Sequence, residues 1–241
     1  MNEKVTIFQT ESKDILDMCS NLCFMTRAEE LQMDAINRLE MLKDEASILK
    51  QEIIMLNDED SANAMLSFEK IIIALYSELK MWVALKNDNP SEAWNYLVSA
   101  QGATRTAMQA HSIANNLENH AERLYLLEHL LFPPQTFCSL GAVIDPADCD
   151  CSICGQIYGE CDHIRGKAYM GQMCSRIINH VKEVKEFSIV YNPGNKRCRV
   201  YRVGNTDTMT LRRISDVSTQ KETEEYQDFV MSTEQPAFKD A

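Results

Sequence analysis

The sequence predicts a mainly α protein: an N-terminal antiparallel helical bundle or coiled coil, then a small C-terminal α+β domain that binds zinc. Three observations carry this. Residues 1–130 hold one glycine, Gly102, and one proline, Pro90, whereas the other seven glycines lie between Gly141 and Gly204. Both residues break helices, so the first half can be continuous helix and the second cannot. Apolar residues of the first half recur at alternating steps of four and three, the spacing of one helical face. Six of the nine cysteines fall between Cys138 and Cys174, with a histidine among them. The expected division is 1–132 for the bundle, 133–213 for the zinc domain and 214–241 for a flexible acidic tail.

The first helix is expected over about 13–56. Ala35, Leu39, Leu42, Ala46, Leu49, Ile53 and Leu56 form its seam. So long a helix suits a coiled coil, and the seam predicts either a homo-oligomer through the N-terminal helices or cover from the following helices. The second helix, about 62–86, places Met65, Phe68, Ile72, Leu75, Leu79 and Trp82 on one face. Asn89 can cap a third helix whose first turn holds Pro90, where the missing N–H costs nothing. That helix runs towards Leu131, with a break near Gly102 or Asn115-Asn116, and Pro133-Pro134 ends it. Trp82 and Trp94 fall on apolar faces and read as core. After Pro134, residues 136–144 alternate as a strand, with Cys138, Leu140, Ala142 and Ile144 on one side. A short helix is expected over 173–184. Strands at 187–191 and 198–203 follow, joined by a type II turn at Asn192-Pro193-Gly194-Asn195. The tail is polar, with Tyr226, Phe229 and Val230 as a stray apolar group.

The N-terminus lacks the apolar stretch of a signal peptide, and no apolar run approaches the ~20 residues of a membrane span. This predicts a cytoplasmic protein without a membrane partner, in which the cysteines are reduced and serve as metal ligands rather than disulfides. Cys151-Ser-Ile-Cys154-Gly155 is the most specific signal. Two cysteines three apart wrap a tight turn with both thiolates on one ion. The glycine lets the backbone turn and frees amides to face the sulfurs. Cys161-Asp-His163 follows at a distance that a short loop closes. Three thiolates and an imidazole make a closed tetrahedral set for structural Zn2+. With no open position, such an ion folds the domain rather than activating water. Cys149 and Cys174 are alternatives for Cys161 or His163.

Two stretches flanking the knuckle carry a resemblance. Phe137-Cys-Ser139-Leu-Gly141 resembles the nucleophile strand of the tailed-phage prohead maturation proteases, and Glu186-Phe-Ser-Ile-Val190 with Asn192-Pro193 resembles their closing strand. The resemblance covers about 20 residues and implies a serine protease framework with Ser139 at the nucleophile position and the knuckle inserted between the two strands. That family also needs a histidine on an earlier strand. His111, His120 and His129 lie in a segment that reads as helix, and a serine without its base is not activated. The expectation is therefore a strand framework without catalysis.

Charge points to a further role. The chain is −12 overall, yet residues 164–213 carry 11 basic and 3 acidic side chains. Arg165, Lys167, Arg176, Lys182, Lys185, Lys196, Arg197, Arg199 and Arg202, with Tyr169, Tyr191 and Tyr201 among them, can hold phosphates and stack bases. They can equally pair with the protein's own acidic half. Arg105 with His111 and Arg123 with His129 read as surface pairs. The reading that absorbs most of the chain is a non-enzymatic zinc-binding interaction or adaptor protein. Nucleic-acid binding and a Ser139 hydrolase are the alternatives.

Overall fold

The computed structural model describes residues 1–203, 206–207 and 229–231, with side chains described as far as Tyr201. Among these residues, five α-helices occupy the first part of the chain: α1 (Glu3–Asn21), α2 (Glu29–Met55), α3 (Glu59–Lys86), α4 (Pro90–Ala110) and α5 (Glu118–Leu131). Short strands follow: β1 (Phe137–Val143), β2 (Cys149–Cys151), β3 (Ala168–Tyr169), β4 (Gln172–Met173), β5 (Arg176–Ile178), β6 (Glu183–Val190), β7 (Val200–Val203), β8 (Thr206–Asp207) and β9 (Phe229–Met231). The mainly helical class with a small strand-containing C-terminal region is the one expected.

The expected first helix is two helices. The chain breaks at 22–28 because another residue takes up its carbonyls there: the buried Gln32 donates through Nε2 to both Leu22 O and Phe24 O. Cys19 and Cys23 bury their sulfurs in the same bend. The helix starts are capped as their sequences suggest. Asp58 accepts from Ser61 N at α3, and Asn89 accepts from Glu92 N at α4, whose first residue is Pro90. Gly102 does not interrupt α4. The break comes at Ser112–Leu117, a 3₁₀ segment entered through His111.

The seam of α2 is covered within the chain. Ala35, Leu39, Ala46 and Ile53 are fully buried in one cluster with Met65, Phe68, Ile72 and Leu79 of α3, and Leu56 alone points out. Of the two expected covers for this seam, the structure shows that from the following helix. Each buried Leu, Ile, Met or Phe of this cluster stabilises the fold by about 1.5–3 kcal/mol. Opposite, α4 presents Ala93, Leu97, Ala100, Thr104 and Ala107, all fully buried, so the α3 and α4 backbones approach closely enough for Ser67 Oγ to reach Ala107 O at 2.9 Å. Trp82 and Trp94 are core, as expected.

The chain divides into two compact units. One joins Met1–Tyr125 with Ile144–Val181, and the other joins Leu126–Val143 with Lys182–Ala241. The cysteine-rich segment belongs with the helices because its hairpin is hydrogen-bonded to α3, as described below. In the second unit β1 pairs antiparallel with β6, from Phe137 opposite Val190 to Val143 opposite Glu183, with a bulge at Gly141/Ala142. Phe137 also bridges Arg199, and Cys138 N donates to Cys198 O, which places β1 between β6 and the approach to β7.

Three local expectations are corrected. Residues 173–184 are not a helix: Ile177 and Ile178 belong to β5, laddered onto Asp150 and Cys149 of β2, and β6 has begun by Glu183. The segments at 187–191 and 198–203 do form strands, but not a hairpin. β6 pairs with β1 and β7 with β8 and β9, and Gly194 lacks the positive φ that a type II turn demands. The 214–241 tail and its Tyr226 lie outside the described residues, except that Phe229–Met231 is a strand on β7 rather than free chain.

Candidate metal centre

Cys151 ends β2 and leads into a turn closed by two backbone bonds, Gly155 N to Cys151 O at 2.9 Å and Cys151 N to Gln156 O at 2.8 Å. Gly155 adopts φ +71, a left-handed conformation that only glycine takes without strain. The turn aims the amides of Ile153 and Cys154 at the Cys151 sulfur, and that of Gln156 at the Cys154 sulfur. Tyr158 N then donates to Cys149 O, and Gly159 at φ +104 turns the chain back so that Cys161 and His163 return beside the knuckle.

The four donor atoms of Cys151, Cys154, Cys161 and His163 lie within 4.8 Å of one another. Two thiolates on one tetrahedral zinc ion stand about 3.8 Å apart, from Zn–S bonds of about 2.3 Å, so a small inward movement of the side chains would enclose an ion. Two further observations fit a metal. His163 Nδ1 is buried with no hydrogen-bond partner, an arrangement costly for a ring nitrogen unless something else occupies its lone pair. The thiols also differ in acidity. Burial pushes the Cys151 thiol up, but the Cys154 and Ile153 amides and the Cys161 and Cys154 side chains outweigh it and bring the group down to about 6. The Cys154 thiol, despite the Gln156 amide, is raised by burial and by its two sulfur neighbours. A thiolate at Cys151 is what a cation would meet first.

A supporting shell fixes these side chains. The His163 ring packs edge-on against Tyr169, centroids 4.7 Å apart, and the Tyr169 hydroxyl accepts from Ile164 N. Ser152 is stitched to the next segment, its N–H donating to Ser175 O and its Oγ accepting from Ser175 N. That stitching brings Cys174 Sγ to 3.9 Å from Cys151 Sγ. The Cys174 thiol is pushed up to about 11, first by burial and then by Cys151, Cys161 and Cys154 around it. Cys149, the other alternative ligand, turns its sulfur to Asp145 O instead.

The centre is fastened to the helices. Between β3 and β4 the chain reverses through Met170 (φ +46) and Gly171 (φ +75). Gly171 N donates to Asn63 Oδ1 of α3 at 2.8 Å, and Asn63 Nδ2 returns a bond to Ala168 O. A Cβ on Gly171 would stand 3.3 Å from Ala62 O, Ile54 Cδ1 and Lys50 Cγ at once. Asn63 was not legible as a functional residue, since nothing local distinguishes it from any polar helix position.

The other expected site residues are spread over both units. Arg165, Lys167 and Arg176 belong to the first unit, whereas Lys196, Arg197 and Arg199 belong to the second. Arg199 is buried, bonded to Gln135 and stacked 4.1 Å over Tyr201, and Lys196 pairs with Glu128. The Arg202 side chain lies outside the described residues. Ser139 is exposed on β1 opposite Ser188, and among the described residues no histidine is hydrogen-bonded to it.

Arg123 is not a surface residue of the kind expected. Its guanidinium binds the fully buried Glu78 at 2.7 Å and Cys23 O at 3.0 Å. Burial pushes the Glu78 carboxyl up to about 7 despite that cation, and burial with Arg123 pushes His120 down to about 4. Glu78 interrupts the apolar face between Leu75 and Trp82, and a carboxylate at such a position is the sequence signal for a buried ion pair.

The fold and the site together define a mainly helical protein with a cluster of three cysteines and one histidine that could bind a metal ion. Comparison of the chain with protein-family models, with curated proteins and with solved structures gave no match.

Proposed function

We propose that Cys151, Cys154, Cys161 and His163 hold one structural zinc ion, and that the protein is a non-enzymatic interaction or adaptor protein built around this centre. The observation that carries the reading is the convergence of the four donors within 4.8 Å, with the His163 Nδ1 left for the ion. Three sulfurs and an imidazole favour zinc over harder cations. Four protein ligands leave no open position for a water nucleophile, so the ion's task is to fold the segment. The interaction role is supported by the second unit, whose β1–β6 ribbon turns Leu140, Phe187 and Ile189 to solvent. No helix among the described residues is long and apolar enough to cross a membrane. A cytoplasmic setting, where thiolates stay reduced, completes the reading.

Native mass spectrometry on protein purified without added metal or chelator tests it. The expected result is one zinc per chain and no nucleic acid. Zinc-free chains that remain folded would overturn the metal centre. Co-purifying nucleic acid would transfer the function to Arg165, Lys167, Arg176 and the other exposed basic side chains.

A further inference from the structure

Five of the nine cysteines, Cys19, Cys23, Cys149, Cys151 and Cys174, are buried. Of the four that reach solvent, Cys154 and Cys161 belong to the metal cluster. The other two, Cys138 and Cys198, are far apart in sequence but belong to the same unit and face each other in the fold. Phe137 forms an antiparallel bridge with Arg199, so Cys138 on one strand lies opposite Cys198 on the other. Cys138 N donates to Cys198 O at 2.8 Å, and on the far side of the bridge Val200 N donates to Thr136 O at 2.9 Å. Phe137 and Arg199 are both buried. Side chains alternate along a strand, so the two thiols leave together by the opposite face. Opposed residues of an antiparallel pair stand about 4.5–5.5 Å apart at Cα, inside the range of about 4.4–6.8 Å that a disulfide spans.

We propose that Cys138 and Cys198 form a reversible disulfide, a redox clasp separate from the metal centre. Its oxidant is a low-molecular-weight disulfide. Cys198 is exposed and attacks first, whereas Cys138 is half-buried. The Cys198 thiolate bonds to one sulfur of the oxidant, whose S–S bond breaks and whose other half leaves as a thiolate. The Cys138 thiolate then attacks the Cys198 sulfur and expels the second half. The cysteine pair gives up two protons and two electrons, and the two expelled thiolates take them up. In a reducing compartment such a bond is transient and senses the redox state. The bond closes residues 139–197 into one covalent loop that contains all four proposed metal ligands. It also fastens β1 to the chain entering β7, where an isolated bridge joins them. Closing so long a loop restricts the unfolded chain more than the folded one, so fold and clasp favour each other. The clasp stands whether or not the metal cluster holds zinc.

The test equilibrates the full chain against mixtures of reduced and oxidised glutathione, quenches in acid, alkylates and maps the disulfides by mass spectrometry. The expected product links Cys138 to Cys198. Oxidation of this pair is expected to be at least about thirtyfold more favourable in buffer than in urea, the lower end of what a loop-closing disulfide contributes to a fold. Cys138→Ser is expected to stop at a glutathione adduct on Cys198, the first step trapped. Separate glutathione adducts on Cys138 and Cys198 of the wild type, oxidation of other cysteines while this pair stays reduced, or a buffer-to-urea ratio near one would each overturn the clasp. Should Cys138→Ser misfold, the wild-type map and ratio decide alone.

Discussion

Helix α3 and the segment between Cys149 and Ile178 belong to the same unit but are held by different physics. α3 buries most of its residues, among them Met65, Phe68, Ile72, Leu79 and Trp82, against α2 and α4. The cysteine segment has strands of two and three residues and few buried side chains besides its sulfurs. Burial is distributed, so the loss of one side chain costs a fraction of the whole. The metal centre proposed for it would concentrate stabilisation on four atoms, so the loss of one would cost nearly everything local. The contrast can be broken at either end.

The largest expected effect is at the centre. Cys151→Ser, or chelation, should remove binding free energy on the order of 10 kcal/mol and unfold 149–178. Hydrogen exchange should show amides such as Tyr158 and Cys174 losing protection while α3 keeps its own, and loss of protection throughout α3 would refute the contrast. Next is the distributed core: Leu79→Ala should destabilise the helices by about 2–5 kcal/mol in urea unfolding and leave metal content at the wild-type value. The link between the two regions comes third. Gly171→Ala places a side chain at φ +75 and 3.3 Å from Ala62 O, and should cost about 1–3 kcal/mol. It should raise exchange in β3–β4 without releasing metal. The smallest effect is at a cap: Asn89→Ala should cost about 1 kcal/mol, read as a shifted urea midpoint.

The buried pair gives the comparison a pH axis. Glu78, pushed up from 4.5 to about 7, holds a proton in the fold that the unfolded chain gives up, so its contribution falls as pH rises through that window. His120, pushed down from 6.5 to about 4, binds its proton more readily unfolded, so its contribution is lost as pH falls from 6.5 towards 4. The two oppose each other. Glu78→Gln should therefore make the helical melting temperature fall more steeply than wild type between pH 6.5 and 4, and an unchanged slope would show that Glu78 takes up no proton there in the folded protein.

The two regions also differ in how far the sequence reveals them. In the helices burial repeats with the period of the backbone, so the α3 face, the Asn89 cap and the Trp94 core position are visible locally. In the cysteine segment the visible part is the turn chemistry of Cys151-x2-Cys154-Gly155 with Cys161 and His163, because ligand spacing is itself local. What stayed hidden is long-range. The bend at 22–28 depends on Gln32 reaching back to Leu22 and Phe24. The strand at Ile177–Ile178 depends on Cys149 and Asp150 lying opposite. The mooring of Gly171 on Asn63 joins residues 108 positions apart. A pattern along the chain records which face is apolar, not which distant backbone will satisfy it.

The placement of the two tryptophans has a practical consequence. Trp82 and Trp94 are the chain's only indoles, and both sit inside the α3–α4 packing, 5% and 2% exposed. The cysteine segment carries tyrosines alone, Tyr158 and Tyr169, with Tyr169 against the His163 ring. Indole emission excited at long wavelength therefore follows the helices and does not report on the cysteine segment. One molecule thus carries an optical reporter of its helical packing alone, and a titration watched through it times the loss of that region independently of the other.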